Sequence, residues 1–297
     1  AKDTKSRSTH KLSQVTETHG NLLIKMSLKI KKEIVQDLDK TGFPLEVFVA
    51  SELEKTDWMV YSGYLYRDEE TGQARELDLH GVKVNFDYAE NVPEKVGMGD
   101  ANKLVSHLVI QCKKSKKPWV FFDNGKRRWP AIPNECLKSK NKEFHEMLFE
   151  DLEIFGLKGF RLKDAILHKS YHESFSEPKQ NSKIYEALVT LVKATKYIKK
   201  RYGLGKYAIH YFMPIIVLDG TLWSANLNKN MLVDVKEVDN LFVVFETLPK
   251  PNKKGMSFEE EYVIEVITRK SFTKKILDIK KDNQKLYECW TNFINEK

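Results

Sequence analysis

Two polar side chains, Gln111 and Lys113, end an otherwise apolar run that reads HLVIQCK from His107. If this run is a strand, residues two positions apart lie on one face, so the amide and the ammonium group lie side by side. An amide oxygen is a hard ligand that suits Mg²⁺, and an ammonium group can orient a water molecule or neutralise charge on a phosphate. The spacing therefore points to metal-assisted chemistry on a phosphate, provided that a carboxylate lies nearby.

Asp78 is the carboxylate that the sequence offers for this purpose. It lies in ARELDLHGVKVNF, residues 74–86, where apolar and polar residues alternate as in a strand with one buried face. If the strands that hold Asp78 and Gln111 are neighbours, about 4.8 Å apart, their side chains and Lys113 converge on one small volume. The pattern leaves a second interpretation open, in which Asp78 pairs with a surface lysine and nothing is catalysed.

Two residues near Asp78 are weaker candidates for the same site. Glu76 shares the predicted strand face and could assist Asp78, although an exposed strand glutamate explains it equally. His80 follows on that face and either contacts DNA or ends the strand.

A basic stretch follows the Gln-x-Lys run. Between Lys113 and Arg128 there are seven lysines and arginines and the one acid Asp123, with aromatic residues interleaved among them. Cations beside a strand can contact phosphates, and aromatic rings can stack on bases. A solvated strand end above an aromatic core is an alternative explanation of the same residues. The nucleic-acid interpretation assigns phosphate contacts to Lys114, Lys116, Lys117, Lys126, Arg127 and Arg128.

Hydrophobic periodicity predicts the elements that position these residues. PLEVFVASELEKT starts a helix at Pro44 and places Glu46 off its apolar stripe. DWMVYSGYLYRD and ARELDLHGVKVNF predict two strands joined by a turn at DEETGQ, and HLVIQC and PWVFF predict two more. Four strands after one helix predict a mixed sheet that is buried on at least one face.

The second half of the chain predicts further layers around the same sheet. EFHEMLFEDLEIFG has a helical pattern, HKSYHESFSEPKQNS predicts a loop, and a strong amphipathic helix covers 182–202. Strands in YFMPIIVLDG, LFVVFET and EYVIEVIT precede a closing helix. Because no long Gly/Ser linker or repeat is present, we expect one domain over 26–297 with an insertion at about 138–180, after a polar segment over 1–25.

Composition narrows the class of protein. The 297 residues are 41% hydrophobic and 31% charged, so the chain can bury one large core or two modest ones. No apolar run is long enough for a membrane span, and three cysteines without paired spacing suggest neither disulfides nor zinc. A net charge of +8 favours polyanionic partners, but weakly. We expect a cytoplasmic protein in a reducing compartment, with no membrane partner.

The ordered motifs resemble the restriction-endonuclease-like PD-(D/E)XK nuclease superfamily. In that family a helix with a glutamate precedes a hairpin that ends in an acidic residue, and the next strand carries (E/D/Q)-x-K. Here these positions hold Glu46, Asp78 within ELDL, and the run Gln111-Cys112-Lys113. The resemblance covers about 40–123 and extends loosely to the later helix and the strand PIIVLDG. It implies an α/β fold, with a mixed central β-sheet flanked by α-helices and with helical and strand extensions.

The resemblance also implies a function and a set of site residues. It indicates a nuclease that depends on Mg²⁺ or Mn²⁺ and hydrolyses phosphodiester bonds in DNA, in restriction or phage defence, with a homodimer as one form. Its catalytic residues would be Glu46, Asp78, Gln111 and Lys113. The metal ligands would be Asp78, the Gln111 side chain and the Cys112 carbonyl, with Glu46 bound directly or through water.

Gln111 departs from the commonest pattern of the family. Most members carry glutamate there, whereas the Mrr-type restriction branch commonly shows Q-x-K. Two further explanations stay open: a chain that kept the fold and binds nucleic acid without cutting it, and a glutamate that was changed to silence the enzyme.

Overall fold

The chain divides into two compact units, Ala1–Pro44 and Leu45–Lys297. In the first unit a helix, α1, spans 27–38 and exposes Leu28 and Ile34. The second unit holds the whole sheet. This computed structural model describes residues 27–86, 103–123, 136–140, 143, 165–176, 183–203, 208–247 and 260–295.

Three further helices and eleven strands make up the described elements. The helices are α2 (Phe43–Glu54), α3 (Lys183–Arg201) and α4 (Arg269–Asn295). The strands are β1 (Met59–Arg67), β2 (Ala74–Phe86), β3 (Lys103–Lys114), β4 (Trp119–Asp123), β5 (Leu137–Ser139), β6 (Leu167–Glu173), β7 (Ala208–Asp219), β8 (Leu222–Leu227), β9 (Val233–Glu237), β10 (Asn240–Thr247) and β11 (Glu260–Thr268).

All of these strands belong to one mixed sheet. Their order is β1-β2-β3-β7-β11-β10-β6-β4-β8-β9, and β5 pairs with β7 beside this path. β1, β2 and β3 are antiparallel neighbours, whereas β3 and β7 run parallel. The chain between β3 and β7 includes α3, as a parallel pair requires a long crossover. The prediction of a mixed sheet flanked by helices is confirmed.

The helices flank the sheet because each has one apolar stripe. α2 has Pro44 in its first turn and buries Leu45, Val49 and Leu53, which recur every four residues. α3 buries a longer stripe and ends in three cations, which suit the negative end of the helix dipole.

Helices cover both faces of β3. Leu108 and Ile110 pack in a cluster with α2 and α4, whereas Val109 packs in a second cluster with α3. Both β3 and β7 are buried almost throughout, as expected for strands covered on two faces. The helices predicted at 44–55 and 182–202 therefore lie on opposite faces of β3, the strand that carries Gln111 and Lys113.

One predicted element is wrong and another lies outside the described residues. The segment 168–182, predicted as a loop, contributes most of β6, which pairs with β10 and β4. Its polar residues gave no strand pattern in the sequence. One of them, His168, is nevertheless buried, because it bonds to the Phe242 carbonyl and the Ser224 hydroxyl. The helix predicted from EFHEMLFEDLEIFG falls almost entirely on residues that are not described. In the described part of the chain, no helix has the length and apolar character needed to cross a membrane.

Candidate active site

β2 and β3 separate at the point where the polar side chains begin. Their ladder ends at the pair Leu79 and Ile110, although each strand continues along its other neighbour, β1 or β7. The two strands thus form a fork, with Asp78 and Gln111 at its base. The prediction that these two residues lie on adjacent strands is confirmed.

A break in β1 lies opposite Asp78. The residues on both sides of Gly63 pair with β2, whereas Gly63 is unpaired and has φ +60°, which favours glycine. Beyond this break the faces of β2 change: Leu77 packs in the α3 cluster and Leu79 in the α2 cluster, although they are two positions apart. The single alternation predicted through this strand is therefore wrong. The prediction overlooked Gly63, although a glycine inside a strand pattern is itself a signal that the strand is interrupted.

The Asp78 carboxylate bonds to β3 across the fork. Its Oδ2 accepts a hydrogen bond from the backbone N–H of Cys112 at 2.6 Å, and the Gln111 side chain bonds to the same carboxylate. The N–H and C=O of one strand residue point to the same edge, so the Cys112 carbonyl also faces the fork. The Cys112 thiol packs in the α2 cluster instead.

One buried oxygen in the fork lacks a partner. The Gln111 side chain is 4% exposed, and its Oε1 accepts no hydrogen bond from any described residue. A buried polar atom left unsatisfied costs about 1–3 kcal/mol. This oxygen therefore marks a position where a cation or a donor would be stabilising.

Three carboxylates and one ammonium group interact at the fork. Burial raises the pKa of Asp78, against the opposing hydrogen bond from Cys112 and the charge of Lys113. Burial also raises the pKa of Glu46, and the charges of Asp78 and Glu76 raise it further. Carboxylates that repel one another in a partly buried place favour a proton or a cation between them.

The oxygen donors of the fork fit Mg²⁺ or Mn²⁺. They comprise the Asp78 carboxylate, the Gln111 amide oxygen and the Cys112 carbonyl, with Glu46 close enough to interact, and hard oxygen donors are what these cations prefer. In the described ranges no group of three or more His, Cys, Asp and Glu is arranged to hold a metal. A site here would depend on an amide and a backbone oxygen, so we expect weak binding.

The lysines predicted to contact phosphates begin where β3 ends. Lys114 forms an ion pair with Asp219 at 3.9 Å, Lys116 is exposed, and Lys117 donates to a serine hydroxyl at 3.2 Å. These three are therefore on the surface beside the fork, and two of them have partners within the chain. The predicted contacts that lie outside the described residues are Lys126, Arg127 and Arg128.

His80 is not available to DNA, so that prediction is wrong. Its side chain is buried, and its Nε2 lies 3.2 Å from Nδ1 of His107, whose Nε2 lies 3.0 Å from Nδ1 of His210. His210 also donates to the Gly203 carbonyl, so in the neutral row His80 donates to His107 and His107 donates to His210. Burial lowers the pKa of His80 and of His210 to about 4, which leaves them neutral at pH 7.

Comparisons of the chain with protein-family models, with curated proteins and with solved structures each find no match.

Proposed function

We propose that the fork between β2 and β3 is the active site of a Mg²⁺- or Mn²⁺-dependent nuclease that hydrolyses phosphodiester bonds in DNA. The observation that carries this proposal is the buried Oε1 of Gln111, which has no partner among the described residues and lies beside the Asp78 carboxylate. A bound cation would satisfy that oxygen and would also favour the ionised forms of Asp78 and Glu46, whose pKa values are raised mainly by burial.

The order of the elements supports the same proposal. α2 carries Glu46, the hairpin of β1 and β2 carries Asp78, and the next strand carries Gln111 and Lys113. This is the order on which the resemblance to PD-(D/E)XK nucleases depends. Each motif is short, but Asp78 and Lys113 both influence the pKa of Glu46, so the motifs meet in space as well as in order.

The side chains of the fork have distinct roles in this proposal. Asp78, the Gln111 amide oxygen and the Cys112 carbonyl would hold the cation, which supplies Lewis-acid activation of the phosphate and of water. Lys113 lies two positions from Gln111 on the same strand, where its ammonium group orients the attacking water and offsets charge on the phosphate. Glu46, with its raised pKa, accepts a proton from water more readily than an exposed carboxylate does.

Plasmid cleavage tests this proposal. Supercoiled DNA incubated with the wild-type chain should be nicked in Mg²⁺ or Mn²⁺ and should stay intact in a chelator. Asp78→Asn should abolish nicking because it removes the carboxylate and keeps the shape of the side chain. Asp57→Asn is the matched control, since Asp57 has a 75% exposed side chain that pairs with Lys83 and Lys280. Equal nicking by both variants would exclude the fork as the active site.

A second candidate is a nucleic-acid-binding protein that retains this architecture without cutting. One observation favours it: the chain itself bonds to the Asp78 carboxylate through the Cys112 N–H and the Gln111 amide, so the fork is partly satisfied without a cation. Gln111→Glu distinguishes the candidates. A site that naturally uses glutamine should keep activity in the same range, a silenced enzyme should gain cleavage, and a binding protein should show salt-sensitive DNA binding with no cleavage in either form.

A further inference from the structure

The strand β9 lies at one edge of the sheet and has one neighbouring strand among the described residues. It pairs with β8, and all of its residues are exposed. Val233 is 59% exposed and Val235 is 51% exposed, and Leu227, which pairs with Val233 across the hairpin, is also exposed. An exposed edge strand with apolar side chains is a template for pairing with another strand.

Hydrogen bonds at both ends of the β8–β9 hairpin determine which backbone groups point away from β8. The Asn228 N–H donates to the Leu232 carbonyl at 2.9 Å, and the Val238 N–H donates to the Leu222 carbonyl at 2.9 Å. Antiparallel pairs alternate between bonded and non-bonded positions, so every second residue of β9 directs its N–H and C=O outward. These residues are Val233, Val235 and Glu237.

We propose that β9 pairs antiparallel with β9 of a second copy of this chain, about a two-fold axis at Val235. In this register Val235 lies opposite its own counterpart, and Val233 lies opposite the partner's Glu237. All the outward-directed N–H and C=O groups of both strands then form hydrogen bonds. The apolar patch of Leu227, Val233 and Val235 is doubled across the axis, and the sheet continues from one copy into the other.

The charges of β9 select this register. Non-bonded positions of an antiparallel pair bring side chains closest, at about 4.5 Å between Cα atoms. Here those positions hold Asp234 and Lys236, so each carboxylate faces an ammonium group of the second copy. An axis at Asp234 or at Lys236 would place like charges opposite each other, which is destabilising. An axis between two residues would set outward-directed groups against inward-directed ones. Among the registers centred on Asp234, Val235 or Lys236, only the one centred on Val235 pairs opposite charges.

Charge variants of the full chain test this dimer by sedimentation equilibrium. Asp234→Lys and Lys236→Asp lose no ion pair among the described residues, where their partners on β8 are Asn226 and Ser224. Each should raise the dimer dissociation constant by roughly tenfold or more, since two attractive pairs become repulsive. An equimolar mixture of the two variants should restore the wild-type constant, because opposite charges then face each other. A wild-type chain that stays monomeric up to roughly 1 mM, the weak limit of specific association, would overturn the proposal. A mixture no tighter than the single variants would overturn it as well.

Cysteine cross-linking tests the position of the axis. The native cysteines Cys112, Cys136 and Cys289 are all buried, so a cysteine introduced on β9 is the reactive one. Val235→Cys places two thiols opposite each other, with Cα atoms about 5.5 Å apart, which a disulfide can span. Val233→Cys is the matched control, because its two thiols would lie roughly 13 Å apart along the strands. Mild oxidation should therefore join copies of the first variant and leave the second uncoupled. Cross-linking of both variants to the same extent, or of neither, would contradict the proposed axis.

Discussion

Gln111 shows how one side chain sets the character of the fork. Its amide bonds to Asp78, while its Oε1 stays buried without a partner among the described residues. A glutamate in its place would put a second negative charge beside a carboxyl group whose pKa is already raised by burial. Glutamine therefore keeps the fork stable without a cation, and in the proposed function it would offer a bound cation a weaker ligand than glutamate.

Gln111→Glu should accordingly lower the stability of the fold without metal and strengthen the binding of metal when it is present. In a chelator we expect the free energy of unfolding to fall by about 1–2 kcal/mol, because two carboxylates then share a buried place. Mn²⁺ should restore it and should bind on the order of tenfold more tightly than to wild type, since the ligand set gains a charge. Urea denaturation and calorimetric titration measure the two effects. Gln73→Glu, at an exposed position, should show neither effect. Unchanged Mn²⁺ affinity in the Gln111 variant would remove that side chain from the ligand set.

The acidic residues of the fork predict a pH dependence of metal binding. Folding raises the pKa of Asp78 above 3.8 and that of Glu46 above 4.5, mainly by burial. Each carboxyl group must be ionised to bind a cation, so protons compete at higher pH than they do at exposed carboxylates. Mn²⁺ affinity measured over a descending pH series should weaken before the pH reaches the ordinary carboxyl range. A profile that bends only within that ordinary range would contradict the raised values.

At the scale of elements, the interruption of the β1–β2 pairing at Gly63 shapes the fork. Gly63 interrupts β1 opposite Asp78, and an ideal Cβ there would lie 3.0 Å from the Glu76 carboxylate. The glycine therefore serves twice, because it accepts the left-handed backbone and leaves room for an acidic side chain next to the site.

Gly63→Ala should distinguish the cost of backbone strain, measured as stability, from the effect on the geometry of the site, measured as Mn²⁺ binding. Alanine in the left-handed region costs roughly 1–2 kcal/mol, and at this position it also displaces Glu76. Gly72→Ala is a matched control, because Gly72 has φ +71° and no atom lies within 4 Å of its ideal Cβ. We expect both variants to lower the free energy of unfolding by similar amounts, and only Gly63→Ala to weaken Mn²⁺ binding. If the two variants bind Mn²⁺ alike, the backbone at Gly63 has no part in the site.

Periodicity predicted those elements whose apolar stripe meets one surface. α2, α3 and the adjacency of β2 and β3 follow from the spacing of apolar residues, and so does the presence of Asp78 and Gln111 on neighbouring strands. The fork was not predictable in this way, since it depends on where the hydrogen-bond ladder between β2 and β3 ends. The strand β6 was missed because the buried His168 has its hydrogen-bond partners 56 and 74 positions away. Long-range hydrogen bonds leave no local pattern in a sequence.

At the scale of the whole molecule, buried titratable groups should govern stability in acid. The row of His80, His107 and His210 links β2, β3 and β7, and burial lowers the pKa of each histidine, with Arg201, Lys138 and Lys103 adding positive charge nearby. Unfolding returns these imidazoles to an ordinary pKa of 6.5, so the unfolded chain binds protons first.

The free energy of unfolding should therefore fall as the pH drops from 6.5 toward 4. With folded pKa values of about 4, His80 and His210 should each cost roughly 2 kcal/mol at pH 5 relative to pH 7. The buried Asp68, whose pKa is lowered to about 2, adds a further loss only below its ordinary value of 3.8. Urea denaturation at pH 7 and pH 5 measures the difference, and replacing the exposed His172 by glutamine should not alter it. Equal stability at the two pH values would show that the histidine row is not neutral in the folded chain.

The net charge of +8 belongs to the whole chain. DNA binding that relies on this charge should respond to single substitutions differently from catalysis. In the proposed function, phosphate contacts would be spread over many cations, so the loss of one would change DNA affinity little and change the salt dependence by about one phosphate contact. Catalysis would depend on single groups instead. A variant that loses cleavage while it keeps affinity would therefore identify a residue of the site, and Lys113 is the residue to which the proposal assigns this role.

The most direct measurement is the rate of DNA cleavage by Lys113→Ala, with DNA affinity measured on the same preparation. We expect wild type to cleave in Mg²⁺ or Mn²⁺, and the variant to cleave about a hundredfold or more slowly with affinity within about threefold. Lys117→Ala, the control, should weaken binding modestly for all sequences and cleave normally at saturating DNA. Cleavage by Lys113→Ala at the wild-type rate would contradict the assignment of the site. Absence of cleavage from both wild type and Gln111→Glu with every divalent metal tried would contradict catalysis at the fork altogether.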